Sequence, residues 1–524
     1  MASRPTKIIM NIFLRKNFLL ILTFAIIAGL LTVARNGMET SDFVITLLRG
    51  LSVGSLTFLV ASGFSLIFGL LDVLNLAHGT LFMIGAYIGW TVFVRPDTFV
   101  DLLTPLALIL SGFLLRDVWT LLSTRILPRL RMNRFFPWAG LIVSVLILFS
   151  VLTRYPIAIW SVDNYAESPV SLALLASQGP SITPPHAAFE MIHPALALLG
   201  LLIGSSLAAF SLSLFGQVTQ QVRRLTWQNF IGFVILLIVG LGALVFNETL
   251  SAMLFGLDAN WLFLVAVVIA VFSGAALGAL METTLIRPLY VRPIYQLMLT
   301  LGLSAIGIEV VRAVWGRPEF TMPKPALFNG TGDGCPAASL SDWLAHNCST
   351  IFILDGRVRV YNEIFIPIVG LIVLVSVWIL LQRSRLGMII RAGVQDREMV
   401  EALGINVRRV FTQVFALGVG LAALGGVLAA PSIGLSNVMG ESFLLNALIA
   451  LAIGGLTSYP GAALGSLLVG LLQQFIIKYG QIGIPIPFTE IVFKPTPPIV
   501  PASTVLLMVI ILLILPNGLL GKKE

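Results

Sequence analysis

Asp72, Asn75 and His78 stand three residues apart in the run Leu70-Leu71-Asp72-Val73-Leu74-Asn75-Leu76-Ala77-His78-Gly79. A carboxylate, an amide and an imidazole inside an apolar stretch could line a solute path or cap a helix break. They could equally satisfy one another as a polar cluster at a membrane boundary. In an unbroken helix the spacing would stack all three on one face. Glu282 precedes Arg287 by five residues and reads as a local charge pair, and Glu309 with Arg312 has the spacing of a helical ion pair. Ionisable groups are expensive inside a bilayer, so each one is informative. None of them makes a catalytic set. The chain has no G-x-x-x-x-G-K-[ST], H-E-x-x-H, G-x-S-x-G or C-x-x-C run, and His78, His186, His193 and His346 are scattered. An intramembrane enzyme would need a nucleophile–base or acid pair at helical spacing, and the spans offer none. We expect no catalytic residues, no metal site and no cofactor held by this chain.

A second segment could bind a partner. Within residues 383–409, Gln395 and Asp396 precede a short helical pattern; Asp396 can cap it, and Gly404 lies beyond its end. Met399, Val400 and Leu403 form an apolar stripe along Glu401-Ala402-Leu403-Gly404. Such a helix between two spans suits a partner's groove, or the lipid interface. Gly454-Gly455, followed by Ser458-Tyr459-Pro460-Gly461, reads as a tight turn between two short helices. Cys335 and Cys348 lie in the loop 316–362, on the side expected to be oxidising. There a disulfide would order the loop by about 2–3 kcal/mol, against the alternative of two buried thiols.

The elements that must position these residues are membrane spans. Of 524 residues, 57% are hydrophobic and only 11% charged, and mean hydropathy is +0.99. Soluble domains carry about 25% charged residues. Apolar runs fall near 17–34, 43–71, 79–94, 101–115, 138–154, 191–215, 230–247, 261–286, 294–315, 363–382, 410–431, 443–457, 461–477 and 502–520, about fourteen helices at ~20 residues per span. The fold expected is all-α, a polytopic transmembrane bundle with broken or re-entrant helices, since 79–94, 101–115 and 443–457 are short. The run 17–34 reads as a retained first span. Placing the N-terminus inside puts 21 of the 32 Lys and Arg into inner segments, which supports an N-in, C-in chain. The net charge of +8 is then the mark of those loops and not of a nucleic-acid partner. The loop 155–190 holds five prolines and is expected to be extended.

Asn75-Leu76-Ala77-His78-Gly79 followed by Phe82-Met83-Ile84-Gly85-Ala86-Tyr87 resembles the N-F-A-H-G…M-I-G-A-Y signature of branched-chain amino-acid ABC-transporter permeases. Arg287-Pro288-Leu289 with Leu299-Thr300-Leu301-Gly302-Leu303-Ser304 is similar to that family's R-P-L…G-L-S region. Arg391-Ala392, Ala402-Leu403-Gly404-Ile405 and Arg409-Val410 are similar to its cytoplasmic loop. Its helical hairpin is matched by 450–465, and its C-terminal ending by Pro516-Asn517-Gly518-Leu519-Leu520-Gly521. The resemblance covers 43–95 and 260–524, the two parts of the permease core. Residues 1–42 add a span, and 96–259 insert further spans with the Pro-rich outer loop, for which we expect a peripheral or partner-binding role.

The resemblance implies an inner-membrane permease subunit of an ATP-driven importer for branched-chain or other hydrophobic amino acids. Its partners would be a second permease subunit, two ATPase subunits carrying ATP-Mg, a periplasmic solute-binding protein and the lipid bilayer. Asp72, Asn75, Ala77, His78, Gly79, Gly454 and Gly455 are the residues expected at the translocation path or helix break. Gln395, Asp396, Met399, Val400, Glu401, Ala402, Leu403 and Gly404 are expected to couple to the ATPases. The motifs also fit a urea or short-amide permease, and Asp72, His78 or Glu282 could serve an ion-coupled secondary transporter.

Overall fold

The computed structural model describes residues 28–29, 32, 35, 38–122, 135–155, 157, 192–215, 227–290, 292–316, 319–395, 397–485 and 492–521. Most of the run 17–34, most of the loop 155–190, and Asp396 lie outside them. Eighteen α-helices occur among the described residues, which form two compact units. The first comprises residues 1–90, 259–312 and 317–524, and the second residues 91–258 and 313–316.

The helices are α1 (Thr40–Leu71), α2 (His78–Val94), α3 (Pro96–Leu114), α4 (Arg116–Leu121), α5 (Phe135–Leu152), α6 (Pro194–Phe215), α7 (Trp227–Val245), α8 (Asn247–Phe255) and α9 (Ala259–Met281). Next come α10 (Pro293–Trp315), α11 (Leu340–His346), α12 (Ile366–Arg383), α13 (Arg385–Gln395), α14 (Arg397–Ala402), α15 (Val407–Ile433), α16 (Met439–Gly454), α17 (Tyr459–Ile482) and α18 (Ile499–Ile514). Every apolar run from 43–71 onward coincides with one of them. The protein is thus an all-α polytopic bundle. Nine helices among the described residues are long and apolar enough to cross a membrane, or ten if α7 and α8, bent by 76°, form one span. α2, α16 and α18 are apolar but shorter, so the count of about fourteen full spans is not reached among the described residues. The run 101–115, expected to be short, belongs to the 19-residue α3.

In the first unit, α1 and α15 are the central elements, with α1 packing against α15, α16 and α17, and α9 against α15. Small residues make this possible, because helices in lipid associate through close packing, with no hydrophobic drive between them. A Cβ on Gly63 would overlap the Gly418 carbonyl, and one on Gly454 would overlap the Gly461 carbonyl. Exposed apolar side chains such as Phe272, Ile294 and Leu513 cover the outer faces, as expected of surfaces that meet lipid.

Contacts sort the first unit into two ends. Leu71, Tyr290, Val400 and Phe411 pack together at one. At the other, Asp42 pairs with Lys478 at 2.7 Å and Arg49 with Glu363 at 2.9 Å. The second end carries residues 319–362, where Cys335 and Cys348 are disulfide-bonded with Cα atoms 5.5 Å apart. It also carries the hairpin β1 (Thr350–Ile353) and β2 (Gly356–Arg359). The hairpin was not foreseen from sequence. Its turn residues, Leu354 and Asp355, both have positive φ, the backbone that a two-residue primed turn requires.

The second unit is tied by hydroxyls on backbone carbonyls. Ser144 donates to Gly204 at 2.7 Å and Thr104 to Gly240 at 3.0 Å, while Asn247 donates to Asp101 at 2.8 Å.

Candidate functional site

Asp72 does not continue α1. It adopts a left-handed conformation (φ 53°, ψ 35°) and ends the helix, its N–H donating to the Phe68 carbonyl. Residues 72–77 then run back into the bundle, and α2 begins at His78. The stack that an unbroken helix would give is therefore not formed, and the helix break read as the alternative is present. The left-handed residue breaks the period, leaving Asp72 exposed and Asn75 and His78 fully buried.

The buried pair has defined hydrogen-bond roles. Ala77 N–H donates to Asn75 Oδ1 at 3.1 Å, so Oδ1 closes the turn and Nδ2 is left as the donor. His78 Nε2 lies 3.1 Å from the Val60 carbonyl, which can only accept. Nε2 therefore carries the proton, and Nδ1 of the neutral ring is an acceptor. Among the described residues, both Asn75 Nδ2 and His78 Nδ1 are buried without a hydrogen-bond partner. Leaving buried polar atoms unmatched costs about 1–3 kcal/mol each.

A second helix start meets the first. The backbones of Gly79 in α2 and Gly440 in α16 touch so closely that a Cβ on either would overlap the other's carbonyl. Phe82 and Phe443 stack at 4.8 Å alongside them. Two short helices thus present their N-termini within the bundle, and such ends carry unsatisfied N–H groups and partial positive charge. Broken helices arranged in this way are how many transporters contact anionic solute groups.

The break packs against the end that holds α14. Val73 and Ala77 share a buried cluster with Ile67, Met281, Ile286, Phe415 and Val419. Beside it, α9 passes through a π-turn, Glu282–Ile286, into Arg287–Leu289. Glu282 is fully buried there. It accepts from Arg287 Nε at 3.1 Å and Nη2 at 2.7 Å, from Tyr290 Oη at 2.7 Å and from Thr412 Oγ1 at 2.7 Å. The local charge pair read from sequence is present, but it extends across to α15. Its hidden part, Tyr290 and Thr412, comes from chain segments that spacing could not connect. Tyr290 also packs on Val400, Val407 and Phe411. A continuous set of contacts therefore joins α14 to the buried polar pair.

On α14 the expected single stripe is split. Val400 faces the bundle and is buried, whereas Met399 and Leu403 are 61% and 73% exposed. The helix ends at Ala402, so Leu403 sits in the turn beyond it and does not continue the face of Val400. Glu401, Ala402 and Gly404 are also exposed. Gly404 has φ 80° and ends the turn with its N–H on the Glu401 carbonyl at 3.0 Å. Gln395, exposed, ends α13; the cap expected from Asp396 lies outside the described residues.

Gly454 and Gly455 have other neighbours. They form the turn between α16 and α17, where Ser458 Oγ accepts from Gly461 N–H at 3.2 Å. Leu519 and Leu520 N–H groups cap the Ile453 and Gly454 carbonyls at 2.8 and 3.0 Å.

Comparison with known proteins accords with this architecture. The family model described as branched-chain amino acid transport system, permease component, matches residues 46–170 and 238–515. The chain is similar to the high-affinity branched-chain amino acid transport system permease protein LivH of Salmonella typhimurium, with 26% identity over 277 residues, 52% of this chain and 80% of the relative. It is also similar to BraD of Pseudomonas aeruginosa, a permease protein of the same description, at 32% over 174 residues, 33% of this chain and 51% of the relative. A fructose import permease protein, FruF of Bifidobacterium longum, is 26% identical over 121 residues, 22% of this chain and 34% of the relative. No solved structure matches. Membership of this family implies ATPase and solute-binding components as partners. With its family model matched over most of its length and its helices built for lipid, the chain belongs to the branched-chain amino acid transport system permease family, as a multi-pass inner-membrane permease subunit.

Proposed function

We propose that this chain forms part of the solute path of an ATP-driven importer of branched-chain amino acids. Asn75, His78 and the N-termini of α2 and α16 are the point where the solute's polar end passes. The observation that carries this reading is the buried, unmatched pair: Asn75 Nδ2 is a donor and His78 Nδ1 an acceptor. A zwitterionic amino acid complements both. Its carboxylate accepts from Nδ2 and from the helix N-termini, and its ammonium donates to Nδ1. The flanking Leu81, Phe82 and Met83 suit an apolar side chain.

ATP-Mg sits on two ATPase subunits that grip the exposed face of α14. Their closure moves Val400 against Tyr290 and Phe411, and the Glu282 node passes this movement to the break at 72–77. A second permease subunit completes the path, and a periplasmic binding protein delivers the solute.

The pair is uncharged, which also favours a second reading, a urea or short-amide permease. An ion-coupled mechanism has less support, since Asp72 is exposed and Glu282 is engaged by Arg287.

Asn75→Asp tests the assignment. It keeps an Oδ1 for the Ala77 turn and removes the amide donor, at a stability cost for a carboxyl group in so buried a place. Losing a charge-assisted hydrogen bond of about 1.5–3 kcal/mol predicts leucine uptake lower by about ten- to a hundredfold, in folded protein as judged by thermal unfolding. Wild-type leucine uptake in Asn75→Asp would remove these residues from the path. Uptake of urea or acetamide in place of leucine by the unaltered protein would select the second reading.

A further inference from the structure

At the disulfide-bearing end of the first unit, a cavity of about 650 Å³ opens between α9 and α12 beneath the loop that contains α11. Its walls are apolar: Trp261 and Leu264 from α9, Phe328 and Trp343 from the loop, Ile368 from α12 and Leu428 from α15. The wall is held in place. Trp343 Nε1 donates to the Cys348 carbonyl at 2.9 Å. Phe328 packs on Tyr361 and Phe365 with ring centres 5.4 and 5.0 Å apart. Asn260, a polar residue at the wall, accepts from Leu327 N–H at 2.9 Å. The volume is within the usual ligand-site range of about 300–1,000 Å³, and an apolar space of that size is poorly filled by water. Trp261, Leu264 and Ile368 are exposed on the helix faces that meet lipid, so the opening is within reach of acyl chains.

Two cations adjoin the lining residues in the chain. Lys324 directly precedes Pro325, and Arg359 directly precedes Val360, both lining residues. Lys324 is half-buried. Burial holds its ammonium below the usual lysine range, and the nearby Arg359 guanidinium adds to this, while Glu363 opposes it. Glu363 is already committed, accepting from Arg49 Nε at 2.9 Å and from the Arg359 backbone N–H at 2.6 Å. Among the described residues, neither Lys324 nor the Arg359 side chain forms an ion pair. An apolar cavity whose lining residues Pro325 and Val360 directly follow two mutually close cations complements an anionic amphiphile.

We propose that this cavity binds one anionic acyl lipid, with the chain between α9 and α12 and the phosphate or carboxylate headgroup on Lys324 and Arg359. The site is separate from the buried polar pair and needs no partner subunit, so it stands or falls independently of the transport reading. The lipid locks the loop over α9 and α12, the helices that frame this end of the unit.

The test is native mass spectrometry of the full chain in detergent, titrated with dioleoylphosphatidylglycerol or dioleoylphosphatidylcholine. We expect one phosphatidylglycerol per chain, bound at least tenfold more tightly than phosphatidylcholine. Lys324→Glu with Arg359→Glu lowers phosphatidylglycerol binding to the phosphatidylcholine level, and the single Lys324→Gln gives an intermediate loss should the double variant fold poorly. Val369→Phe, which fills the cavity, weakens both lipids. Oleate that binds and displaces phosphatidylglycerol supports the site with a free fatty acid as its source. Equal binding of the two phospholipids, phosphatidylglycerol binding indifferent to the charge reversals, or a dimer that forms on this face and excludes lipid would each overturn the proposal.

Discussion

Met399→Asp with Leu403→Asp is expected to abolish ATP-driven uptake while leaving the chain folded and inserted. The two side chains, Met399 on α14 and Leu403 in the turn just beyond it, are more than half exposed. A partner groove that buried both would gain about 1.5–3 kcal/mol from each. Losing that, with two carboxylates now to be desolvated, predicts ATPase affinity lower by about two to four orders of magnitude. Binding of the ATPase subunits to the purified permease measures it directly. Val400→Asp provides the contrast. Val400 is 4% exposed and packed among Val407 and Phe411, so a carboxylate there destabilises the bundle itself. Unaltered ATPase binding by the Met399 and Leu403 double variant would show that α14 lies at the lipid interface instead.

Glu282→Leu is the second large effect. The carboxylate accepts four hydrogen bonds from three residues, and its removal takes away the acceptor that Arg287, Tyr290 and Thr412 share, leaving Arg287 Nη2 on Thr412 Oγ1 and Thr412 Oγ1 on the Arg408 carbonyl. Breaking a buried pair by removing one member costs about 3–5 kcal/mol. The 32% exposure of the Arg287 side chain places the expectation toward the lower figure. Denaturant unfolding in detergent reads the loss. Glu282→Leu combined with Arg287→Leu should recover part of it, because the uncompensated charge is gone. Uptake should fall in both variants, since the node links α9 to α15 between α14 and the break. A Glu282→Leu protein within about 1 kcal/mol of the original would mean that the node is not holding these segments together.

Much of the bundle was legible in the sequence, because a span needs a long apolar run and few polar residues interrupt these runs. The exceptions share a cause: tertiary contacts override a local pattern. Spacing alone placed Asp72, Asn75 and His78 on one face, but the left-handed Asp72 sends the chain back into the bundle and separates the exposed carboxylate from the buried pair. Met399, Val400 and Leu403 all count as apolar, yet only the packing of Phe411 and Tyr290 against Val400 determines which faces inward. Glu282 and Arg287 were visible as neighbours in sequence, whereas Thr412, which joins them to α15, is distant in the chain. Gly440 gave no motif of its own. Its role appears only when α16 meets α2 at Gly79. In the loop 316–362, the two cysteines suggested a closed loop, but the hairpin beside them has strands of four residues, too short for alternation to be read.

A path through Asn75 and His78 that opens when ATPase subunits close on α14 makes import depend on ATP. Leucine accumulation in proteoliposomes that hold this chain, a second permease subunit and the two ATPases, with a leucine-binding protein outside and ATP-Mg inside, tests it most directly. Accumulation should require hydrolysable ATP and be indifferent to a protonophore. Accumulation that persists without ATP and collapses when the protonophore is added would contradict it.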